Sequence, residues 1–324
     1  MDTGLTVGSE EIMVGNGDRT PSRRFRDGSG SPSALVFAAG AVALWSTNAL
    51  VGKSLLASHP VSLVQLLQFC GAALVFAVIH LASREGGTQD AAFAKGADGT
   101  LAPVAVGFIG LVGTMVLQYI AFASMPVIEA NLVAYTWPLM VATAVIVLGK
   151  PQRPVLLGLT AVLGFVGVAL VISGGRGQPF LQGSIVGYLA AFGSALCMAF
   201  YSIAVARLAT PSERLLLPSA LVGVGLTLLW CVHDGAAWPS GADLLLGLYL
   251  GAGPMGLGYY FWSRALKLEG GGKVAVVAYL TPIASTLLLT LSGESLTLTA
   301  IAGAVLVIGS CIAVGIERSE TEHA

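Results

Sequence analysis

Apolar residues run along the chain in long blocks separated by brief polar joints. Each block approaches the roughly 20 residues a helix needs to cross a hydrocarbon layer. Reading block by block predicts ten helices, at 34–56, 61–82, 103–123, 127–149, 154–173, 184–206, 214–233, 242–262, 273–293 and 298–316. Most joints hold Pro, Gly or Ser: His59-Pro60, Met125-Pro126, Pro151 with Pro154, Pro211 and Pro239. The stretch 83–102 is different, carrying Arg84, Glu85, Asp90, Lys95 and Asp98, and is predicted to be solvated. Residues 1–33 are polar and Gly/Ser-rich and are predicted to be a disordered cytoplasmic tail, with 317–324 a second cytoplasmic tail. The predicted fold class is an all-α polytopic membrane protein.

Composition agrees. Hydrophobic residues make up 55% of the 324 and charged residues only 10%, against about 25% charged in ordinary soluble domains, and the mean hydropathy is +0.83. So little charge cannot cover a water-facing surface. A net charge of −1 offers nucleic acid no counterion-release term. Cys70, Cys197, Cys231 and Cys311 lie far apart with no CxxC pair, which suggests packing residues and neither a metal site nor a disulfide framework. Arg23-Arg24-Phe25 mimics a twin-arginine export signal. Because the apolar run from Ala34 is the first of ten similar spans, this segment is read as a cytoplasmic anchor.

Basic residues orient the spans. An even number of passes puts both termini on one side. With the N-terminus inside, the inner segments hold Arg19, Arg23, Arg24, Arg26, Arg84, Lys95, Lys150, Arg153, Arg207, Arg214, Arg264, Lys267 and Arg318. The outer segments hold Arg176, with Lys53 near the outer end of the first span and Lys273 at the inner edge of the ninth. The positive-inside rule then predicts that both termini are cytoplasmic.

A repeat lies within these spans. Residues 128–139, IEANLVAYTWPL, align without gaps on 272–283, GKVAVVAYLTPI, matching Val133 with Val277, Ala134 with Ala278, Tyr135 with Tyr279 and Pro138 with Pro282. A weaker echo relates Trp45-Ser46-Thr47-Asn48 and Lys53 to Ala199-Phe200-Tyr201-Ser202 and Arg207. The period is therefore five spans, 34–173 and 184–316. Five is odd, so the second copy enters the membrane from the opposite face, giving a 5+5 inverted-topology repeat of the kind secondary transporters use to alternate access.

These residues also carry a family resemblance. Ten spans, Trp45-Ser46-Thr47-Asn48 in the first, Ile128 to Pro138 in the fourth and Ala278-Tyr279-Leu280-Thr281-Pro282 in the ninth resemble the drug/metabolite transporter superfamily of EamA-like ten-helix carriers. Ile128-Glu129 followed by Tyr135-Thr136-Trp137-Pro138 is similar to the bacterial aromatic amino acid exporter branch. The resemblance covers nearly all of 34–316. It implies a bacterial inner-membrane exporter of amino acids, aromatic or more broadly neutral, and of related small metabolites. Met198 departs from that branch, where a tryptophan is expected, and bears on substrate preference more than on fold.

Helical spacing gathers the candidate binding residues. Asn131, Tyr135 and Pro138 share a face of span four, and Ala275, Tyr279 and Pro282 the matching face of span nine. Met255, Tyr259 and Trp262 repeat that spacing in span eight, as do Ser194, Met198 and Tyr201 in span six. Thr114 and Gln118 line one side of span three, and Trp45 and Asn48 one side of span one. The substrate site is predicted from Trp45, Asn48, Gln118, Asn131, Tyr135, Met198, Tyr201, Tyr259 and Tyr279. Trp137 joins them on the family resemblance alone, since an ideal helix would send it away from Tyr135. Pro138, Pro254 and Pro282 are predicted to kink their helices, with Pro138 releasing the carbonyl of Ala134 and Pro282 that of Ala278.

No Asp, Glu, Lys, Arg or His falls near the middle of any span. Glu129 and Lys273 lie at span ends, where snorkelling to water is open to them. Facilitated diffusion is the leading mechanism. The alternative is a proton-coupled exporter of other small amphipathic metabolites or drugs, with Glu129 as the coupling residue. No P-loop is present to suggest ATP drive, and no HExxH, GxSxG or central His or Asp suggests an enzyme. Gly251-Ala-Gly253-Pro-Met-Gly256 matches a dinucleotide fingerprint, but it lies inside an apolar span with a proline in it, where no βαβ unit fits. No cofactor, metal or nucleic acid is called for. The partners are a small-molecule substrate and the lipid bilayer, and the oligomeric state stays open.

Overall fold

Backbone amides buried in hydrocarbon must be satisfied within their own segment, which leaves helices as the economical solution for an apolar chain. In the computed structural model, residues 32–85, 101–149, 153–173, 183–239, 241–269, 272–291 and 297–321 are described, and every regular element among them is helical. Eight helices there are long and apolar enough to cross a membrane, and two shorter apolar helices, Val274–Leu288 and Leu298–Ala313, bring the number of passes to ten.

The passes are α1 (Pro32–Trp45 and Asn48–Leu56), α2 (Val61–Glu85), α3 (Leu101–Gly107, Phe108–Gly113 and Thr114–Ser124), α4 (Val127–Ala134 and Trp137–Ala144, then Val145–Gly149) and α5 (Pro154–Ser173). The second half continues with α6 (Ile185–Arg207), α7 (Ser212–His233), α8 (Ala242–Leu250, Gly251–Leu257 and Gly258–Glu269), α9 (Gly272–Val277 and Leu280–Leu291) and α10 (Leu298–Thr321). Helix starts follow the expected chemistry. Pro60, Pro126 and Pro211 directly precede α2, α4 and α7, where a missing N–H costs nothing. Ser184 caps α6 by accepting from the Gly187 amide at 3.0 Å.

Some predicted boundaries move. The first helix starts at Pro32, and α10 runs on to Thr321, past the predicted end at 316; no Gly or Pro follows Gly315 to stop it. The predicted disordered residues 1–31, most of the solvated 83–102 segment (86–100) and Arg176 lie outside the described residues, as does the side chain of Lys273.

The two halves form an inverted repeat, visible in how the helices pair. Helices α1 and α8 pack together as their counterparts α6 and α3 do; α2 meets α8 as α7 meets α3; α6 meets α4 as α1 meets α9. The pairs α2–α7, α4–α9 and α5–α10 map onto themselves. Tyr135 lies beside Thr281, and Tyr279 beside the backbone of Leu139, so α4 and α9 cross with their chains running in opposite directions. At the α5–α10 crossing a Cβ on Gly167 would sit 2.7 Å from the Gly303 carbonyl, and one on Gly303 2.5 Å from the Gly167 carbonyl. Only glycines permit that backbone approach.

Candidate functional site

Five of the passes are not simple α-helices where they approach the centre. In α1, hydroxyls fold back on the helix: Ser46 donates to the Ala43 carbonyl at 2.7 Å and Thr47 to that of Leu44 at 2.8 Å, breaking the helix before Asn48. In α4 the break falls at Tyr135-Thr136, ahead of Pro138, which occupies the first turn of the next segment. In α9 the equivalent break falls at Ala278-Tyr279. There the Ala278 carbonyl accepts from the Thr281 amide at 3.0 Å. The expectation that Pro282 leaves that carbonyl free is therefore corrected, because a tight turn recaptures it.

Helices α3 and α8 widen instead of breaking. Phe108–Gly113 and Gly251–Leu257 are π-helical. Pro254 sits in the second of these, so its missing amide is absorbed by a wider turn and not by the predicted sharp kink. The released Pro254 carbonyl accepts a hydrogen bond from the Trp45 indole at 3.0 Å.

These distortions surround a cavity of about 380 Å³, within the range of small-molecule sites. Of the predicted binding residues, Trp45, Asn48, Gln118, Asn131, Tyr135, Trp137, Met198 and Tyr259 line it, and Pro282 does too. The α4 break explains how Tyr135 and Trp137, two residues apart, reach one wall. Tyr201 and Tyr279 do not line it. Tyr201 lies below the floor, its ring so close to Gly110 that a Cβ there would be 2.1 Å away. Tyr279 turns away, fully buried with Val168, Val276 and Val307 between α5 and α10. The break in α9 rotates it off the face it would share with Pro282 in a continuous helix. Pro138 also lies off the wall.

The floor is aromatic. Trp45 contacts Trp262 at 5.3 Å and Tyr259 at 6.0 Å between centroids; Trp137 meets Trp262 edge-on at 5.4 Å; Tyr259 meets Tyr201 at 5.5 Å. Trp262 is fully buried, its indole N–H donating to Ser202 Oγ at 3.1 Å. Below the floor the bundle is sealed by Val205, Leu215, Leu216, Ala265 and Leu266, all fully buried. Above it the wall rises through Asn131 and Ser285 to Leu50, Lys53, Val127 and Thr297 at the other end of the bundle. Among the described residues the cavity is thus closed by apolar packing at the floor end, and its wall extends to the other end. Lys53, Thr281, Ser285 and Thr286 are wall residues outside the predicted set, and periodicity could not reveal them because helix breaks reset the faces.

Glu129 does not line the cavity. It is buried toward α6, where the Tyr188 hydroxyl donates to its Oε2. The predicted snorkelling to water is replaced by this bond.

The sequence model of the EamA-like transporter family matches twice, over residues 32–173 and 185–316. The chain belongs to the EamA-like transporter family. It is similar to the aromatic amino acid exporter YddG of Ancylobacter novellus, with 30% identity over 298 residues, covering 88% of this chain and 98% of the relative. A solved crystal structure superposes on this EamA-like transporter with a TM-score of 0.76 and 28% identity, covering 89% of this chain and 99% of the other. The chain is a multi-pass membrane transporter.

Proposed function

We propose that this transporter exports amino acids, aromatic or more broadly neutral, across the bacterial inner membrane by alternating access. One observation carries the proposal: a cavity with a floor of Trp45, Trp137 and Tyr259 backed by Trp262, closed by apolar packing at the floor end among the described residues and with its wall running to the other end. An aromatic floor beneath a polar wall suits a solute with an apolar ring and a polar head. The positive-inside rule places the termini and the sealed end in the cytoplasm, so the cavity faces outward, the state from which an exporter releases its cargo. The name of the Ancylobacter relative supports the same substrate class.

Facilitated diffusion is the mechanism proposed. Among the described residues Lys53 is the one charged side chain on the cavity wall, and Glu129 is directed elsewhere. A proton carrier would be expected beside the cargo. The test is flux in liposomes containing purified protein, using labelled phenylalanine and a neutral amino acid panel, with and without a pH gradient. Downhill flux of aromatic substrates with no pH-driven accumulation is the expected result. Absence of flux for every amino acid would overturn the substrate class. Uphill accumulation lost in Glu129→Gln would overturn uniport.

A further inference from the structure

Behind the cavity wall a chain of buried amides and a hydroxyl runs from α1 through α3 into α2. Gln65 Nε2 donates to Gln68 Oε1 at 2.5 Å, Gln68 Nε2 to the Tyr119 hydroxyl at 2.6 Å, and Tyr119 in turn to Asn48 Oδ1 at 3.1 Å. Gln65, Gln68 and Tyr119 are fully buried and Asn48 is 8% exposed. Asn48 is the member that reaches the cavity.

Such a chain has two internally consistent polarities, related by flipping every amide. What distinguishes them is the dead end. In the direction described, Gln65 Oε1 is the one atom of the chain left buried without a partner. In the reverse direction the Gln65 amino group would occupy that place with both its N–H groups unpaired, instead of one N–H and the carbonyl oxygen. An unpaired carbonyl oxygen is the better tolerated of the two. The direction is thereby set at the far end, and the Tyr119 proton is committed to Asn48 Oδ1. The packing holds Tyr119 in place: a Cβ on Gly52 would lie 2.6 Å from its hydroxyl oxygen.

We infer that Tyr119 and Gln68 are positioning residues that turn the Asn48 amide N–H groups toward the cavity, making this wall the seat of the substrate's carboxylate. Lys53, one helical stretch above, adds positive charge on the same side, and among the described lining residues no acid opposes it. The inference deepens the export reading and rests on it for the identity of the ligand, while the orientation of the site can be measured apart from transport.

The experiment compares binding of 3-phenylpropanoate, which keeps only the carboxylate, with phenethylamine, which keeps only the ammonium, by calorimetry on full-length protein in nanodiscs. The wild type is expected to favour the carboxylate by about tenfold or more, the scale of one hydrogen bond to a charged group. Asn48→Asp reverses the order. Tyr119→Phe and Gly52→Ala, which leave the cavity wall unaltered, bring the two affinities toward equality. A monodisperse Tyr119→Phe protein that keeps the wild-type ratio would overturn the positioning role, and a wild type preferring the amine would overturn the orientation. Carboxylate preference without phenylalanine flux would defeat the export reading alone; flux with no preference would defeat this inference alone; binding of neither probe would defeat both.

Discussion

Tyr135 and Tyr279 occupy matching positions in the repeat yet have different surroundings, so their substitutions should differ. Tyr135 is on the cavity wall. Tyr135→Ala is expected to lower flux by about tenfold, equivalent to roughly 1.4 kcal/mol of lost interaction, with little change in melting temperature. Tyr279 is fully buried and its ring lies 2.5 Å from the place a Gly164 Cβ would occupy. Tyr279→Ala should open a void costing about 3–5 kcal/mol, read as a marked fall in thermal stability in detergent. The Tyr279 hydroxyl is buried beside the Leu139 backbone without a well-formed hydrogen bond, so Tyr279→Phe should cost far less than Tyr279→Ala, within about 1 kcal/mol. Equal thermal losses in the Ala and Phe variants would contradict this assignment.

At the scale of elements, the cavity depends on where helices stop being regular. Tyr135 and Trp137 face one space because α4 restarts at Trp137 with Pro138 in its first turn. Pro138→Ala restores an amide donor and permits a continuous helix, which would rotate Trp137 off the wall. Flux should fall by about tenfold, on the scale of one lost contact of roughly 1.4 kcal/mol, while thermal stability is maintained or raised. A stable variant with wild-type flux would show that the break does not depend on the proline. In α8 the π-helical turn frees the Pro254 carbonyl for the Trp45 indole, tying the floor to both halves of the repeat.

For the whole molecule, the decisive feature is that, among the described residues, apolar packing closes the cavity at its floor while the wall runs to the other end. In a background lacking Cys70, Cys197, Cys231 and Cys311, Thr286→Cys on the wall should react with a membrane-impermeant thiol reagent applied from outside, and Ala265→Cys below the floor should not. The reverse pattern would invert the orientation. The α5–α10 crossing sets how closely the halves approach. Gly167→Leu places a side chain against the Gly303 carbonyl, 2.7 Å from its own Cβ, and overpacking of this kind costs about 1–3 kcal/mol, seen as a lower melting temperature.

The amino-acid sequence determined the solvent, the number of passes and the inverted duplication, because each is written in hydropathy over about 20 residues or in a fixed offset between matching residues. It also indicated most of the wall, since Asn48, Gln118, Asn131 and Tyr259 are polar or aromatic residues at helical spacing in apolar spans. Only the tertiary structure decided which face each residue presents past a break, separating Tyr135 from Tyr279. It also decided which end of the cavity is sealed and where Glu129 points. Those outcomes depend on contacts between helices distant in sequence, such as Trp45 with Pro254 and Tyr119 with Asn48, and no local periodicity encodes them.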